Sequence, residues 1–408
     1  MSKFNWSDAS EEKLLDLQKQ NKTTEELRRE LSQIYKHEFS YKSIKNKLSR
    51  LSGVKKEDRD IEEASKISLI KRIKILENER NKQKSLVSLL CEYFDQIIPL
   101  ISVKSVKVAG HVKGKNDLEF HLLLSDIHAY SKIDPESTQG LGSYNFKIFE
   151  QRLNCLIEKI ILFKEEDKES QGLNRLVIHG LGDYVEGEGI FPSQAHNIEA
   201  AGTDQVVGVA EQLASIFLTL LKYFTEIEIA SVSGNHSKVG GKHAGLHENF
   251  SLDYLVFYIV GILLRNTGMK NIKVFVTQSP MLLSKRGKFL FLSEHGDAIK
   301  NYFSIPWYGM ERRHMKLNDL YRQNIDYHLV GHFHTSSEVN AGQIMTNGSF
   351  PGGSNLSINR MGCSSLPMQK IFYFSEKHGI NRTTNLVLDI FPKLQPDVNK
   401  FLTPYRQV

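Results

Sequence analysis

The chain is poor in cysteine, has no long apolar run and lacks a signal-peptide pattern, and each absence excludes a class of protein. Its three cysteines, Cys91, Cys155 and Cys363, form no CxxC pair, which argues against a disulfide framework or a thiolate zinc site. The nearest approach to a membrane span, residues 254–264, is too short to cross a bilayer. The N-terminus lacks the charged and then apolar layout of a signal peptide. We therefore expect a cytoplasmic protein with no membrane partner.

A large excess of one charge is also absent. The net charge is +6 and the sequence pI is about 8.9, which permits a polyanionic partner without requiring one. The 408 residues suffice for a large core and for more than one domain. No internal repeat and no low-complexity segment interrupts the sequence, so the composition predicts an ordinary globular protein.

Residues 1–53 predict a module of three short helices, of which the third has a basic face. In residues 41–51, Ile44, Leu48 and Leu51 fall on one side of a helix. Three short helices with a basic third helix resemble a helix-turn-helix of the Myb or homeodomain kind, which implies DNA binding. The alternative is a small helical bundle whose charged face is only solvated. The expected DNA contacts are Lys42, Lys45, Lys47 and Arg50.

Residues 54–103 predict a long helix rich in Lys, Glu, Ile and Leu. Ile70, Ile73 and Leu76 suggest an apolar seam, but the heptad pattern breaks near residues 80–84. The sequence leaves two alternatives for this helix. It is a linker through which two copies of the chain form a homodimer, or it packs on the main domain.

The third segment, residues 104–408, alternates apolar runs of strand length with helical segments, and strand-like runs follow one another near its end. This order predicts an α/β domain with a two-sheet β-sandwich flanked by helices, preceded by the small all-α module and the linker helix.

Short segments bearing Asp, Asn and His follow most of the predicted strands of this domain. Because strand ends of an α/β sandwich face a common cleft, we expect these side chains to lie together. At i and i+2 of an extended chain, an acid and an imidazole point to one side. Gathered oxygen and nitrogen donors can hold two metal ions, and two metals can split a phosphate ester. The segments are Asp126-Ile127-His128, Gly182-Asp183, Gly234-Asn235-His236, His295-Gly296-Asp297 and Gly331-His332-Phe333-His334.

In this order the segments resemble the calcineurin-like metallophosphoesterase superfamily, whose pattern is D-x-H, G-D, G-N-H, a lone H, then G-H-x-H. The resemblance implies hydrolysis of a phosphate ester with two divalent metal ions. A mixed oxygen and imidazole set favours manganese, with iron and zinc as alternatives. The implied ligands are Asp126, His128, Asp183 and His334 for the first ion, and Asp183, Asn235, His295 and His332 for the second.

The resemblance also implies catalytic roles for two residues. His236 would stabilise or protonate the leaving-group oxygen, and Asn235 would help to orient the phosphate. Two positions depart from the usual pattern: Glu186 stands where members often have a second Asp after Gly-Asp, and Ser237 replaces an acidic residue after Gly-Asn-His.

The predicted metal ligands do not identify which phosphate ester is the substrate. DNA repair nucleases of the SbcD type, and phage- or mobile-element-encoded relatives, are the nearest analogies. A DNA-binding module tethered to the domain would raise the local concentration of DNA, so we expect a nuclease. The alternatives are a phosphatase or nucleotide phosphodiesterase with oligomerising N-terminal helices, and a DNA-binding regulatory protein with a vestigial metal site.

Overall fold

A computed structural model divides the chain into two units, Met1–Lys82 and Gln83–Val408. The expected linker helix and its dimer seam lie outside the described residues, so the boundaries at residues 53 and 103 remain predictions. The structure describes residues 5–20, 22–51, 103–111, 118–166, 173–190, 194–239, 251–300 and 306–389.

Three helices form the described part of the first unit: α1 (Asp8–Lys19), α2 (Thr24–Ile34) and α3 (Tyr41–Leu51). At the start of α2, the Thr23 hydroxyl accepts from the Glu26 N–H and the Glu26 carboxylate accepts from the Thr23 N–H. This reciprocal cap satisfies two backbone donors. The three apolar faces share one small core, formed by Leu14, Leu17, Leu27, Leu31, Phe39 and Ile44.

Two sheets form the centre of the second unit, and the described ranges contribute six strands to one and five to the other. The strands are β1 (Leu118–Leu124), β2 (Arg175–Gly180), β3 (Glu226–Ser231), β4 (Ile272–Val276), β5 (Met281–Arg286), β6 (Phe289–Glu294), β7 (Tyr327–Val330), β8 (Ser337–Val339), β9 (Ile344–Thr346), β10 (Met368–Ser375) and β11 (Gly379–Val387). The strand orders are β11-β10-β1-β2-β3-β4 and β5-β6-β7-β9-β8.

Alternation along β1 places its side chains in two cores. Phe120, Leu122 and Leu124 join the larger core with the helices, whereas Leu123 packs with Phe291 and other residues between the sheets. The predicted two-sheet sandwich flanked by helices is therefore confirmed. Within the described ranges, no helix combines the length and apolar character needed to cross a bilayer. The helices of this unit are α4 (Phe146–Glu166), α5 (Gly202–Leu220), α6 (Leu252–Asn266), α7 (Pro306–Tyr321) and α8 (Asn355–Asn359).

Two strand histidines, which their strand positions predict to be core residues, lie between the sheets. His121 Nδ1 is 2.9 Å from His179 Nε2, and His121 Nε2 is 3.1 Å from a Glu119 oxygen. Burial lowers the pKa of His121 to about 4 and that of His179 well below its ordinary value. Both rings are therefore neutral packing elements of the core.

Parallel pairing determines where the Asp- and His-bearing segments emerge. β1, β2 and β3 run parallel to one another, and β6 runs parallel to β7. The carboxyl ends of parallel strands lie at the same edge of a sheet, where α/β proteins commonly bind ligands. Each of the five segments follows the carboxyl end of one of these strands.

Candidate metal centre

The segment after β1 meets the segment after β7 in a first group of donor atoms. His128 Nε2 is 3.1 Å from His334 Nε2, and His334 Nε2 is 3.4 Å from Asp126 Oδ1. Asp183 Oδ2, from the segment after β2, is 3.9 Å from His128 Nε2. These four residues are the set that the sequence predicts for the first ion.

The segments after β2, β3, β6 and β7 form a second, adjoining group. His295 Nε2 lies 3.1 Å from Asp183 Oδ2, 2.9 Å from Asn235 Oδ1 and 3.3 Å from His332 Nδ1. Asp126 also has an oxygen within 4.8 Å of donor atoms of Asp183 and His295. The carboxylate of Asp183 thus faces both groups.

The backbone at five of these residues is left-handed rather than extended. The φ angles are 52° at Asp126, 47° at His128, 56° at Asp183, 68° at His332 and 55° at His334. The expectation that the D-x-H and H-x-H segments run extended is therefore wrong, although their side chains do converge. Non-glycine residues seldom adopt this region, and each instance costs on the order of 1–3 kcal/mol. Strain concentrated at one site indicates function.

A close approach between two backbone turns requires glycine. A Cβ on Gly234 would lie 2.1 Å from Asp183 Oδ1, and one on Gly182 would lie 2.4 Å from the Gly234 nitrogen. The buried carboxylate of Asp253 joins the turns, because it accepts N–H bonds from Asp183 (2.7 Å), Tyr184 (3.0 Å) and Gly234 (2.9 Å). Asp253 was missed in the sequence, where an acid in the first turn of an apolar helix suggests only a favourable helix dipole.

Partners on the far side of two rings set their tautomers. His128 Nδ1 is 2.9 Å from a Glu186 oxygen, and His295 Nδ1 is 2.7 Å from the Leu181 carbonyl oxygen. Neither partner carries a proton to donate, so each Nδ1 donates a hydrogen bond and each Nε2 is left to face the other donor atoms, where it can ligate an ion once it carries no proton. Metal-ligating histidines are commonly held in this way.

The electrostatics of the groups fit a cation. Burial opposes ionisation of Asp126 and Asp183, yet the neighbouring imidazoles hold the pKa of each carboxyl below its ordinary value. Burial of His295 lowers its pKa, but the charge of Asp183 outweighs that effect and raises the pKa of His295 to about 10. Burial lowers the pKa of His332 to about 4. Buried carboxylates are stable only with a positive partner. Protonated His295 can supply that charge to Asp183, and a metal ion would take its place by displacing the proton, because neutral imidazoles are the form that binds metal.

His236 lies beside both groups but is oriented differently. Its Nδ1 is 3.3 Å from a Glu186 oxygen and 3.1 Å from Gln194 Nε2, and its backbone N–H donates to Asp183 Oδ1. Against its burial, Asp183 and Glu186 raise its pKa to about 9. His128, Glu186 and His236 form a third close group of donor atoms. We interpret that group as two carboxylate–imidazole hydrogen bonds, because each Nδ1 faces its own Glu186 oxygen.

The predicted DNA contacts on α3 differ in their surroundings. Lys47 forms an ion pair with Glu11 and lies 5.4 Å from the centre of the Trp6 ring, so it is half-buried and belongs to the internal packing of the module. The remaining three are exposed along α3: Lys42, Lys45 and Arg50.

No protein-family model matches the chain. Among curated proteins, it is 24% identical over 208 residues to the SPbeta prophage-derived uncharacterized protein YonJ of Bacillus subtilis. The match covers 50% of this chain and 48% of that protein, so the chain spans about half the length of this relative.

Several solved structures superpose on part of the chain. One is a predicted phosphoesterase from Streptococcus pneumoniae, with 11% identity, a TM-score of 0.26 and coverage of 66% of this chain and 97% of that one. Another is Vacuolar Protein Sorting 29 from Cryptosporidium parvum, with 11% identity, a TM-score of 0.29 and coverage of 66% of this chain and 98% of that one. A third is an archaeal phosphodiesterase, with 12% identity, a TM-score of 0.28 and coverage of 65% of this chain and 99% of that one. These likenesses assign no activity to this chain.

Proposed function

We propose that the chain is a two-metal phosphodiesterase that cleaves DNA. The observation that carries the proposal is the buried carboxylate of Asp183, which lies between two groups of imidazole, amide and carboxylate donors. Two divalent ions held there would activate water and offset the negative charge that develops on the phosphoryl oxygens.

Each of the two donor groups would hold one ion. Asp126, His128 and His334 would serve the first ion, Asn235, His295 and His332 the second, and Asp183 both. With no thiolate in the set, oxygen and imidazole donors favour manganese, with iron and zinc as alternatives.

His236 would act on the leaving group. Glu186 orients the ring through Nδ1 and favours its protonated form, so that Nε2 holds a proton for the departing oxygen. As the phosphorus–oxygen bond breaks, that proton passes from Nε2 to the oxygen, which leaves as a neutral hydroxyl group. This is general acid catalysis, while Asn235 would help to hold the phosphate in line.

An assay of the full chain with Mn²⁺ and four substrates tests the proposal. Plasmid, single-stranded DNA and bis-p-nitrophenyl phosphate report diester cleavage, and p-nitrophenyl phosphate reports monoester cleavage. We expect hydrolysis of the three diesters. Hydrolysis of the monoester alone would indicate a phosphatase, and DNA binding without turnover under any metal would indicate a vestigial site.

Replacing Glu186 by Gln should lower kcat by about 10- to 100-fold, as is typical for groups that orient metal ligands. The amide keeps the size of the side chain but removes the charge that holds His128 and His236. Metal affinity by titration calorimetry and kcat are the measurements. Glu188→Gln is the matched control, because Glu188 is exposed and contacts the Gly202 N–H instead. Equal activity of the two variants would contradict the role given to Glu186.

Replacing Lys42, Lys45 and Arg50 together by Gln should weaken DNA binding by the full chain. For each of these cations that binds a phosphate, its removal should also reduce the dependence of log Kd on log salt by about 0.9. Fluorescence anisotropy at several salt concentrations measures both effects. Gln at the exposed Lys13, Lys19 and Arg29 removes the same charge from α1 and α2. If that control weakens binding equally, α3 is not the contact surface.

A further inference from the structure

An ion pair between Lys238 and Asp297 joins two of the segments that carry the proposed metal ligands. Lys238 Nζ lies 2.7 Å from Asp297 Oδ2. Lys238 follows His236 by two residues, and Asp297 follows His295 by two residues. The pair therefore connects the segment after β3, in one sheet, to the segment after β6, in the other.

The pair lies at the rim of the centre. The side chains of Lys238 and Asp297 are 26% and 32% exposed, whereas those of Asp183 and His295 are each 1% exposed. Solvent and a long substrate can therefore reach the ammonium group, while the ligand atoms lie deeper. An ion pair this exposed is weak and exchanges its partner at little cost.

Two arginines of the same unit, in contrast to Lys238, have buried or multiple partners. Arg313 binds both oxygens of the buried Glu294. Arg152 pairs with Asp389 and donates to the carbonyl oxygens of residues 350 and 351. Lys238, by contrast, has a single half-exposed carboxylate partner among the described residues, so an incoming anion can take that partner's place.

We propose that Lys238 binds a phosphate group of the DNA strand next to the one being hydrolysed, and that Asp297 holds the ammonium in place until DNA replaces it. This inference rests on the proposed function. Asp297 then opposes DNA binding, because its carboxylate competes with phosphate for the same cation and repels the strand.

Opposite effects of the two partners test the inference. The assay is anisotropy of a short single-stranded oligonucleotide bound to the full chain with Mn²⁺ at fixed ionic strength. The chain carries His236→Ala to slow cleavage and the three α3 replacements to reduce binding through the module. Lys238→Gln should weaken binding about tenfold, the effect of one charge-assisted hydrogen bond. Asp297→Asn should tighten binding, and Lys238→Arg should retain it.

Lys273→Gln is the matched control. Lys273 also pairs with a carboxylate, Glu226, at 3.4 Å, but it stands near the start of β4 and so at the opposite edge of the sheet. If Lys238→Gln behaves like this control, or if Lys238→Gln and Asp297→Asn both weaken binding, the pair is only a structural link. Because binding rather than cleavage is measured, that failure is distinct from failure of the proposed nuclease activity.

Discussion

Replacing Asp183 by Ala should remove both metal ions and abolish hydrolysis. Asp183 Oδ2 is 3.1 Å from His295 Nε2 and 3.9 Å from His128 Nε2, so both donor groups lose one carboxylate at once. Without that charge, only Asp126 carries a negative charge among the remaining donors, so they offset less of the cost of dehydrating two divalent ions. Metal content after dialysis, measured by mass spectrometry, and turnover of bis-p-nitrophenyl phosphate are the readouts.

Two further variants make this result specific. Asp183→Asn keeps the shape of the side chain and should still lose metal, while circular dichroism verifies that the protein is folded. Asp319→Ala removes an exposed carboxylate of α7 and should leave metal content and turnover unchanged. Retention of two tightly bound ions by Asp183→Ala would refute the shared-ligand assignment.

Replacing His236 by Ala should preserve metal content but slow DNA cleavage by about 10²- to 10⁴-fold, the usual contribution of a general acid. The ring is anchored through Nδ1 by Glu186, and no ring atom of His236 belongs to either of the two donor groups that Asp183 faces. Its loss should therefore leave both donor groups intact. Measurements of kcat and of bound metal separate the two roles.

Two substrates whose leaving groups differ in basicity provide a further test of the role of His236 as a general acid. The p-nitrophenolate ion is a weak base and needs little protonation as it departs, whereas the alkoxide of a DNA strand is a strong base. The variant should therefore lose much more activity on DNA than on bis-p-nitrophenyl phosphate. His196→Ala, at an exposed histidine, is the control. Loss of metal by His236→Ala, or equal losses on both substrates, would contradict the general-acid role.

The sequence predicted those parts of the fold that local patterns determine. The spacing of Ile44, Leu48 and Leu51 predicted a helix in residues 41–51, and the structure has α3 there with these side chains packed on the core of the module. The five segments were found for the same reason, since each follows an apolar strand. Their meeting needs parallel strands to end at one edge of each sheet and the two sheets to pack with those edges side by side.

Contacts between distant residues and backbone strain escaped prediction. Asp253 binds the backbone of Asp183, 70 residues away in the sequence, and no local pattern encodes such a pair. The left-handed φ at Asp126 contradicts the extended geometry that was expected, because tertiary structure rather than local sequence determines the backbone there. Lys47 looked like its neighbours on α3, but its pairing with Glu11 on α1 depends on how the helices pack.

Anomalous diffraction from crystals soaked with Mn²⁺ tests the central claim most directly. The account predicts two peaks about 3.5–4 Å apart, with Asp183 between them. One peak should contact His128 and His334, and the other His295 and Asn235. A single peak, or a peak bound by Glu186 and His236 instead, would contradict it.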